Sequence, residues 1–166
     1  MNSGKSKPAL RKRIADTCQK LKIPAERFDP VSIPKGNLIT DTLIDLHCRP
    51  KYAGFIWERL ADGYEVVIID SFPLVVTSAL IDPAEKVWLI LEEEVGGNHK
   101  YWVYDGRIKT ILRVLRKIKK RSEVYVAPKD CEWLISLNKD QHIILSGKVL
   151  YDRLWKLADS EDRGKA

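Results

Sequence analysis

The sequence predicts an α+β fold, in which one mostly antiparallel sheet of about five or six strands carries helices packed on one face. Apolar residues recur at helical spacing near both ends of the chain, β-branched runs joined by short turns occupy the middle, and no linker divides them. Turn-linked strands favour antiparallel pairing, because parallel pairs need long crossovers. We therefore expect a single domain over residues 1–166, with frayed polar ends at 1–6 and 159–166.

The N-terminal part of the chain, as far as Gly63, has mainly helical patterns that are interrupted by proline. A helix is predicted to begin near Ser6 and to end before Pro24. Its apolar positions follow one helical stripe: Leu10, Ile14, Cys18 and Leu21. Residues 24–37 contain three prolines and a glycine, which indicates a surface connection. Two further helices are expected at about 40–47 and 50–61.

The central part of the chain changes to strand-like patterns. Residues 64–70 are β-branched and short, so they predict a buried strand, whereas 74–80 are apolar and compatible with a strand or a loop. Residues 86–93 and 99–105 are expected to form one hairpin. Gly96, Gly97 and Asn98 lie between its two strands and tolerate positive φ angles.

The C-terminal part predicts a second antiparallel unit followed by a helix. Three short apolar runs, at 123–127, 131–137 and 141–146, are separated by polar turns that contain Asp or Asn. A last helix is expected at about 147–158, where leucines recur on one face.

One segment carries most of the positive charge. Residues 107–121 contain eight basic side chains and no acidic one, whereas the rest of the chain contains 21 basic and 23 acidic residues. Helical spacing directs the apolar residues of this segment to the core and its cations to the opposite side. The cations of this predicted stripe are Lys109, Arg113, Arg116, Lys117 and Lys120. Asp105 is placed to cap the helix.

Four interpretations of this cationic stripe remain open. It could be a solvated face, or it could contact an acidic protein partner, nucleic-acid phosphates or anionic lipid. No aromatic residue interleaves with the charges, so the stacking platform of a single-strand binder is missing.

The opposite charge is concentrated at the predicted hairpin. Glu92, Glu93 and Glu94 precede the turn and His99 follows it, so they could receive a basic partner or simply blunt strand pairing. Metal-binding histidines are commonly spaced at i and i+4 on a helix, whereas these side chains are largely sequential. We therefore predict no metal site, and keep the four residues as partner-binding candidates.

The composition predicts a non-enzymatic cytoplasmic protein without a cofactor. The three cysteines form no Cys-x-x-Cys pair, no apolar run could cross a bilayer, and the polar N-terminus differs from a signal peptide. The three histidines have no Ser or Cys in a recognisable nucleophile motif. No catalytic residue is therefore named, although two carboxylates that converge in space would still allow a hydrolase.

Part of the sequence resembles a known class of bacterial proteins. The runs 87–90, 101–106 and 124–135, followed by Asn138, His142 and Gly147, are similar to a pattern in small bacterial proteins of the immunity type, which accompany polymorphic or contact-dependent toxins. This resemblance covers roughly residues 85–147. That resemblance implies a protein that binds and neutralises a cognate toxin by occluding its active site. The alternative hypothesis is a nucleic-acid-binding module that uses the basic helix 107–121. Membrane attachment is not expected.

Overall fold

The structure, a computed structural model, describes residues 9–61, 63–67, 73–118, 123–138, 140 and 142–163. These residues form five α-helices: α1 (Leu10–Lys20), α2 (Ile33–His47), α3 (Pro73–Leu80), α4 (Ile108–Lys117) and α5 (Lys148–Arg163). They also form seven strands: β1 (Phe28–Pro30), β2 (Tyr64–Val67), β3 (Lys86–Val95), β4 (Asn98–Arg107), β5 (Glu123–Ala127), β6 (Leu134–Leu137) and β7 (Ile143–Ser146). The predicted α+β class is confirmed.

All seven strands belong to one antiparallel sheet with the order β1-β4-β3-β5-β6-β7-β2. The predicted hairpin is confirmed as β3–β4, in which Val95 pairs with Asn98 and Lys86 pairs with Arg107. Gly96 and Gly97 turn the chain with φ angles of 62° and 77°, a conformation that glycine adopts at little steric cost. The predicted C-terminal meander is likewise present as β5, β6 and β7.

Helices lie on both faces of the sheet, not on one as predicted. Val87, Leu89 and Leu91 of β3 face a core that includes buried residues of α1, α3, α4 and α5. Trp88 and Ile90, on the other face, pack in a second core with α2 and the 48–60 segment. Side chains alternate along a strand, and β3 is apolar at every position from Val87 to Leu91. That run is therefore covered on both sides.

The helix α2 was only partly predicted, because it begins in the proline-containing connection. Ser32 precedes its first residue and Pro34 lies in its first turn, where the missing N–H of proline costs no helical hydrogen bond. A β-carbon added to Gly36 would lie 3.3 Å from the side chain of Val103. The glycine therefore lets α2 approach β4 closely and cover this face of the sheet.

Four other segments differ from the prediction. Instead of a helix at 50–61 there is a 3₁₀ turn at Ile56–Arg59, because Lys51 and Gly54 have φ angles of 68° and 111°. The β2 strand pairs with β7 at one edge of the sheet, and the 74–80 run is helical as α3. The α5 helix continues to Arg163, beyond the predicted end at about 158. Residues 1–6 lie outside the described residues.

The basic helix forms, although without the predicted cap. The β4 strand continues to Arg107, α4 begins at Ile108, and the cap position carries no side-chain hydrogen bond. Asp105 instead pairs through its Oδ1 with Lys129 Nζ at 2.7 Å. The apolar side of α4 is buried as predicted, at Ile108, Ile111, Leu112, Val114 and Leu115. No helix among the described residues is long and apolar enough to cross a membrane.

Candidate functional site

A cleft at the start of α4 is lined by four cationic side chains. They are Arg27, Arg107, Lys109 and Arg113; the remaining lining residues are uncharged, and the cleft has a volume of about 410 Å³. All four are exposed, and none of them forms an ion pair with another described residue. We call this feature the cationic groove.

Three elements bring these cations together. Arg27 ends a 3₁₀ turn immediately before β1, and the next residue, Phe28, pairs with Gly106 in β4. A β-carbon on Gly106 would lie 3.2 Å from Phe28 and Ile111 and 3.3 Å from the Arg27 carbonyl oxygen. Glycine at this position therefore allows the Arg27 backbone to approach the β4–α4 junction, where Arg107 lies.

The groove continues along the solvent side of α4. A second concavity of about 240 Å³ shares Pro83 and Lys109 with the cationic groove and is lined further along the helix by Leu112 and Arg116. Lys117 is exposed in the last turn. Three cations of the predicted stripe, Lys109, Arg113 and Arg116, thus line the two concavities. The fifth predicted cation, Lys120, lies outside the described residues.

The chemistry of this groove is anion recognition. Guanidinium groups bind carboxylates and phosphates with two parallel hydrogen bonds, while a lysine contributes a point charge. The first two N–H groups of α4 are already used and do not contribute to this binding. Ile108 N–H donates to the Glu85 carbonyl at 3.0 Å, and Lys109 N–H donates to that of Pro83 at 3.4 Å.

The three glutamates lie in β3, which runs through them to Val95 at the end of the hairpin. Glu92 is fully buried, so its carboxylate is not available to a partner. The Glu93 carboxylate accepts a hydrogen bond from Trp102 Nε1 at 2.7 Å, and Glu94 is exposed. These residues lie at the opposite end of the β3–β4 ladder from Arg107, so the structure does not bring the two predicted charged sets together.

The buried Glu92 carboxylate is surrounded by hydrogen-bond donors. Its Oε2 accepts from the Tyr125 hydroxyl at 2.5 Å and from the Ile56 N–H at 3.0 Å. Its Oε1 lies 2.9 Å from Nδ1 of His99, which is 26 % exposed. Burial, followed by the negative charge of Glu92, raises the pKa of Tyr101 to about 12. The same two causes raise the pKa of Tyr125 above its ordinary value.

This carboxylate joins the 48–61 segment to the sheet. Besides the Ile56 contact, Trp57 N–H donates to the Tyr125 hydroxyl at 3.4 Å, and the Phe55 ring packs edge-on against His99 with centroids 5.0 Å apart. His99 is therefore part of this packed cluster and does not stand apart from it as a partner-binding residue. Sequence reasoning missed the cluster, because its members come from three separate segments of the chain.

A serine–histidine pair also forms without any sequence motif. His47 Nε2 lies 2.8 Å from the Cys131 carbonyl, to which it must donate, so Nδ1 accepts from the Ser146 hydroxyl at 2.9 Å. Burial lowers the pKa of His47 and so favours its neutral form, which is the form that can act as a base. However, His47 and Ser146 are only 6 % and 8 % exposed. The pair therefore connects α2 to β7 and presents no accessible nucleophile.

The comparisons with known proteins identify the family of the chain. A search of curated proteins and a search of solved structures each find no match. A model for a family of unknown function, DUF6756, matches residues 6–158, a range that includes α1 to α4, all seven strands and the cationic groove. Because this match spans most of the 166 residues, the chain belongs to the DUF6756 family of unknown function.

Proposed function

We propose that this protein is a non-enzymatic immunity protein that acts in the cytoplasm and neutralises a cognate bacterial toxin. In this proposal the cationic groove docks on an acidic surface beside the toxin's active site and thereby occludes it. The observation that carries the proposal is the convergence of Arg27, Arg107, Lys109 and Arg113 on one cleft without a lining carboxylate. The alternative acidic interface loses support because Glu92 is buried.

The groove has the properties that fast capture of an acidic protein requires. Its cations extend from a backbone junction fixed by the β1–β4 pairing and by the packing of α4, so the base of each side chain is already positioned. Complementary charge raises association rates from about 10⁵–10⁶ M⁻¹s⁻¹ to as much as about 10⁸–10⁹ M⁻¹s⁻¹ at low salt. Rapid association suits an inhibitor that must act before its toxin does.

Co-expression with the product of the adjacent reading frame tests this function. We expect the wild-type chain to restore growth and to co-purify with that product. A double charge reversal in the groove, Lys109→Glu with Arg113→Glu, should lower the association rate at least about tenfold. The matched control reverses two exposed lysines of α5, Lys148→Glu with Lys156→Glu, and should behave as the wild type does.

The possible results separate the function from the interface. If the wild-type chain neither restores growth nor co-purifies with the adjacent gene product, the immunity proposal is refuted. If the wild-type chain and both double variants protect and associate equally, immunity stands and the groove is not its interface.

Nucleic-acid binding is the second candidate, favoured by the continuation of the cationic stripe to Arg116 and Lys117. None of the residues lining the two concavities is aromatic, so backbone phosphates of a duplex would be the target in preference to stacked bases. A mobility-shift titration at about 50 mM salt tests this. Binding that weakens steeply with added salt, and that Lys109→Glu with Arg113→Glu abolishes, would support it, whereas no shift would exclude it.

A further inference from the structure

Another pocket, separate from the cationic groove and from the second concavity along α4, lies between α1 and β1. It has a volume of about 130 Å³, close to the roughly 150 Å³ of an engineered cavity that binds benzene. Exposed Ala15 and Pro30 stand at its rim, whereas Ile14, Phe28 and Tyr104 are buried and form its floor. The Phe28 and Tyr104 rings are stacked with centroids 4.9 Å apart, so much of this floor is aromatic.

One polar atom of this floor lacks a partner. Tyr104 is 3 % exposed, and its hydroxyl makes no hydrogen bond with any described residue. Leaving such a buried group unpaired is unfavourable. An acceptor bound within reach of this hydroxyl would complete its hydrogen bonding.

A positively charged side chain, Arg11, lines the same pocket as Tyr104. Arg11 and Tyr104 are the two residues that line both this pocket and a neighbouring hollow of about 10 Å³. The Arg11 guanidinium carbon is 5.6 Å from the Trp102 ring centroid, and it forms no ion pair with a described residue. Burial raises the pKa of Tyr104 to about 12, and the nearby Arg11 charge opposes that rise.

We infer that this pocket is a binding site for a small carboxylic acid anion with a benzene-sized apolar body. The apolar part would lie against Ile14 and the stacked Phe28 and Tyr104 rings. Its carboxylate would accept a hydrogen bond from the Tyr104 hydroxyl and pair with the Arg11 guanidinium. Neither contact uses a residue of the cationic groove, so this site is independent of the proposed immunity function.

The thiol of Cys18 provides a direct readout, because it lines the pocket. Cys48 and Cys131 are buried, whereas Cys18 is half-buried, so Cys18 should react first with a thiol reagent. We would measure its reaction rate during titration with benzoate, with benzyl alcohol as the uncharged probe of similar shape. Benzoate should protect Cys18 saturably and with at least tenfold higher affinity than benzyl alcohol.

Two variants test the recognition of the carboxylate. Tyr104→Phe removes only the unpaired hydroxyl and should weaken benzoate binding about tenfold or more. Arg11→Gln should abolish the preference for benzoate over benzyl alcohol, whereas Lys12→Gln, at an exposed position of the same helix, should preserve it. Thermal melting verifies that each variant is folded.

Three results would overturn the inference. The first is the absence of saturable protection by benzoate at millimolar concentration, which a single water bound to the Tyr104 hydroxyl would explain. The second is equal affinity of the wild-type protein for benzoate and benzyl alcohol. The third is unchanged benzoate binding in both folded variants, Tyr104→Phe and Arg11→Gln.

Discussion

Replacing the buried Glu92 by leucine should strongly destabilise the fold. The change leaves the Tyr125 hydroxyl and the Ile56 N–H without their acceptor, at about 1–3 kcal/mol for each buried donor. His99 is 26 % exposed, so it can turn to solvent and adds little. Two unpaired donors together cost about 2–6 kcal/mol. We therefore expect a loss of about 3–5 kcal/mol in the free energy of unfolding.

Chemical and thermal denaturation measure this loss. For a protein of this size, 1 kcal/mol lowers Tm by about 2–4 °C, so the Glu92→Leu melting temperature should fall by about 6–20 °C. Glu94→Leu, at an exposed position of the same strand, is the matched control and should change stability by less than about 1 kcal/mol. A double-mutant cycle with Tyr125→Phe should reveal coupling of at least about 1 kcal/mol. A loss below about 1 kcal/mol in Glu92→Leu, or no coupling, would refute the reasoning.

Two further predictions concern His47 and Gly147. Because burial lowers the pKa of His47, the unfolded chain takes up a proton near pH 6.5 while the folded chain does not. The stability that this histidine contributes is therefore fully present above about pH 6.5 and declines as the pH falls below it. His47→Gln should lose less stability than the wild type between pH 7 and 5 in urea titrations, and equal losses would contradict this. Gly147→Ala should cost more than about 3 kcal/mol, because φ is 112° and the new β-carbon would lie 2.7 Å from the Glu132 carbonyl. Gly97→Ala, in open space at φ 77°, should cost only about 1 kcal/mol in thermal melts, and similar losses at both glycines would be inconsistent with the close approach.

Local patterns were sufficient to predict the elements whose apolar spacing is regular. The run from Val87 to Leu91, the glycine turn that follows it and the apolar face of α4 all occur as predicted. Within each of these segments, the residues favour the same secondary structure that the packing of the fold requires. The α+β class follows from their order along the chain.

The remaining errors occur where long-range contacts determine the conformation. The short β1 strand exists because Gly106 admits Phe28 beside β4, and nothing near residue 28 indicates that pairing. The three consecutive glutamates were kept as partner-binding candidates because they are charged, which implies exposure. Donors from Ile56 and Tyr125 instead allow Glu92 to occupy an interior strand position.

The candidate site was predicted only on its helical side. Lys109 and Arg113 were named from the spacing of the basic segment, and both line the cationic groove. Arg27 was missed because it lies far from them in the sequence, in a proline-rich segment, and only the β1–β4 pairing brings it to the groove. Arg107 was included in the basic helix but not distinguished, since its role depends on ending β4 and not on its position in α4.

The order of the strands has a consequence for synthesis of the chain. The five inner strands, β3 to β7, all lie between Lys86 and Ser146, whereas both edge strands, β1 and β2, end by Val67. The β2 strand pairs with β7, which is the last strand of the sheet to be translated. A ribosome therefore releases β2 long before its partner exists, and the segment must wait while the interior of the sheet is translated. Pairing along this edge therefore cannot be completed until Ser146 has emerged.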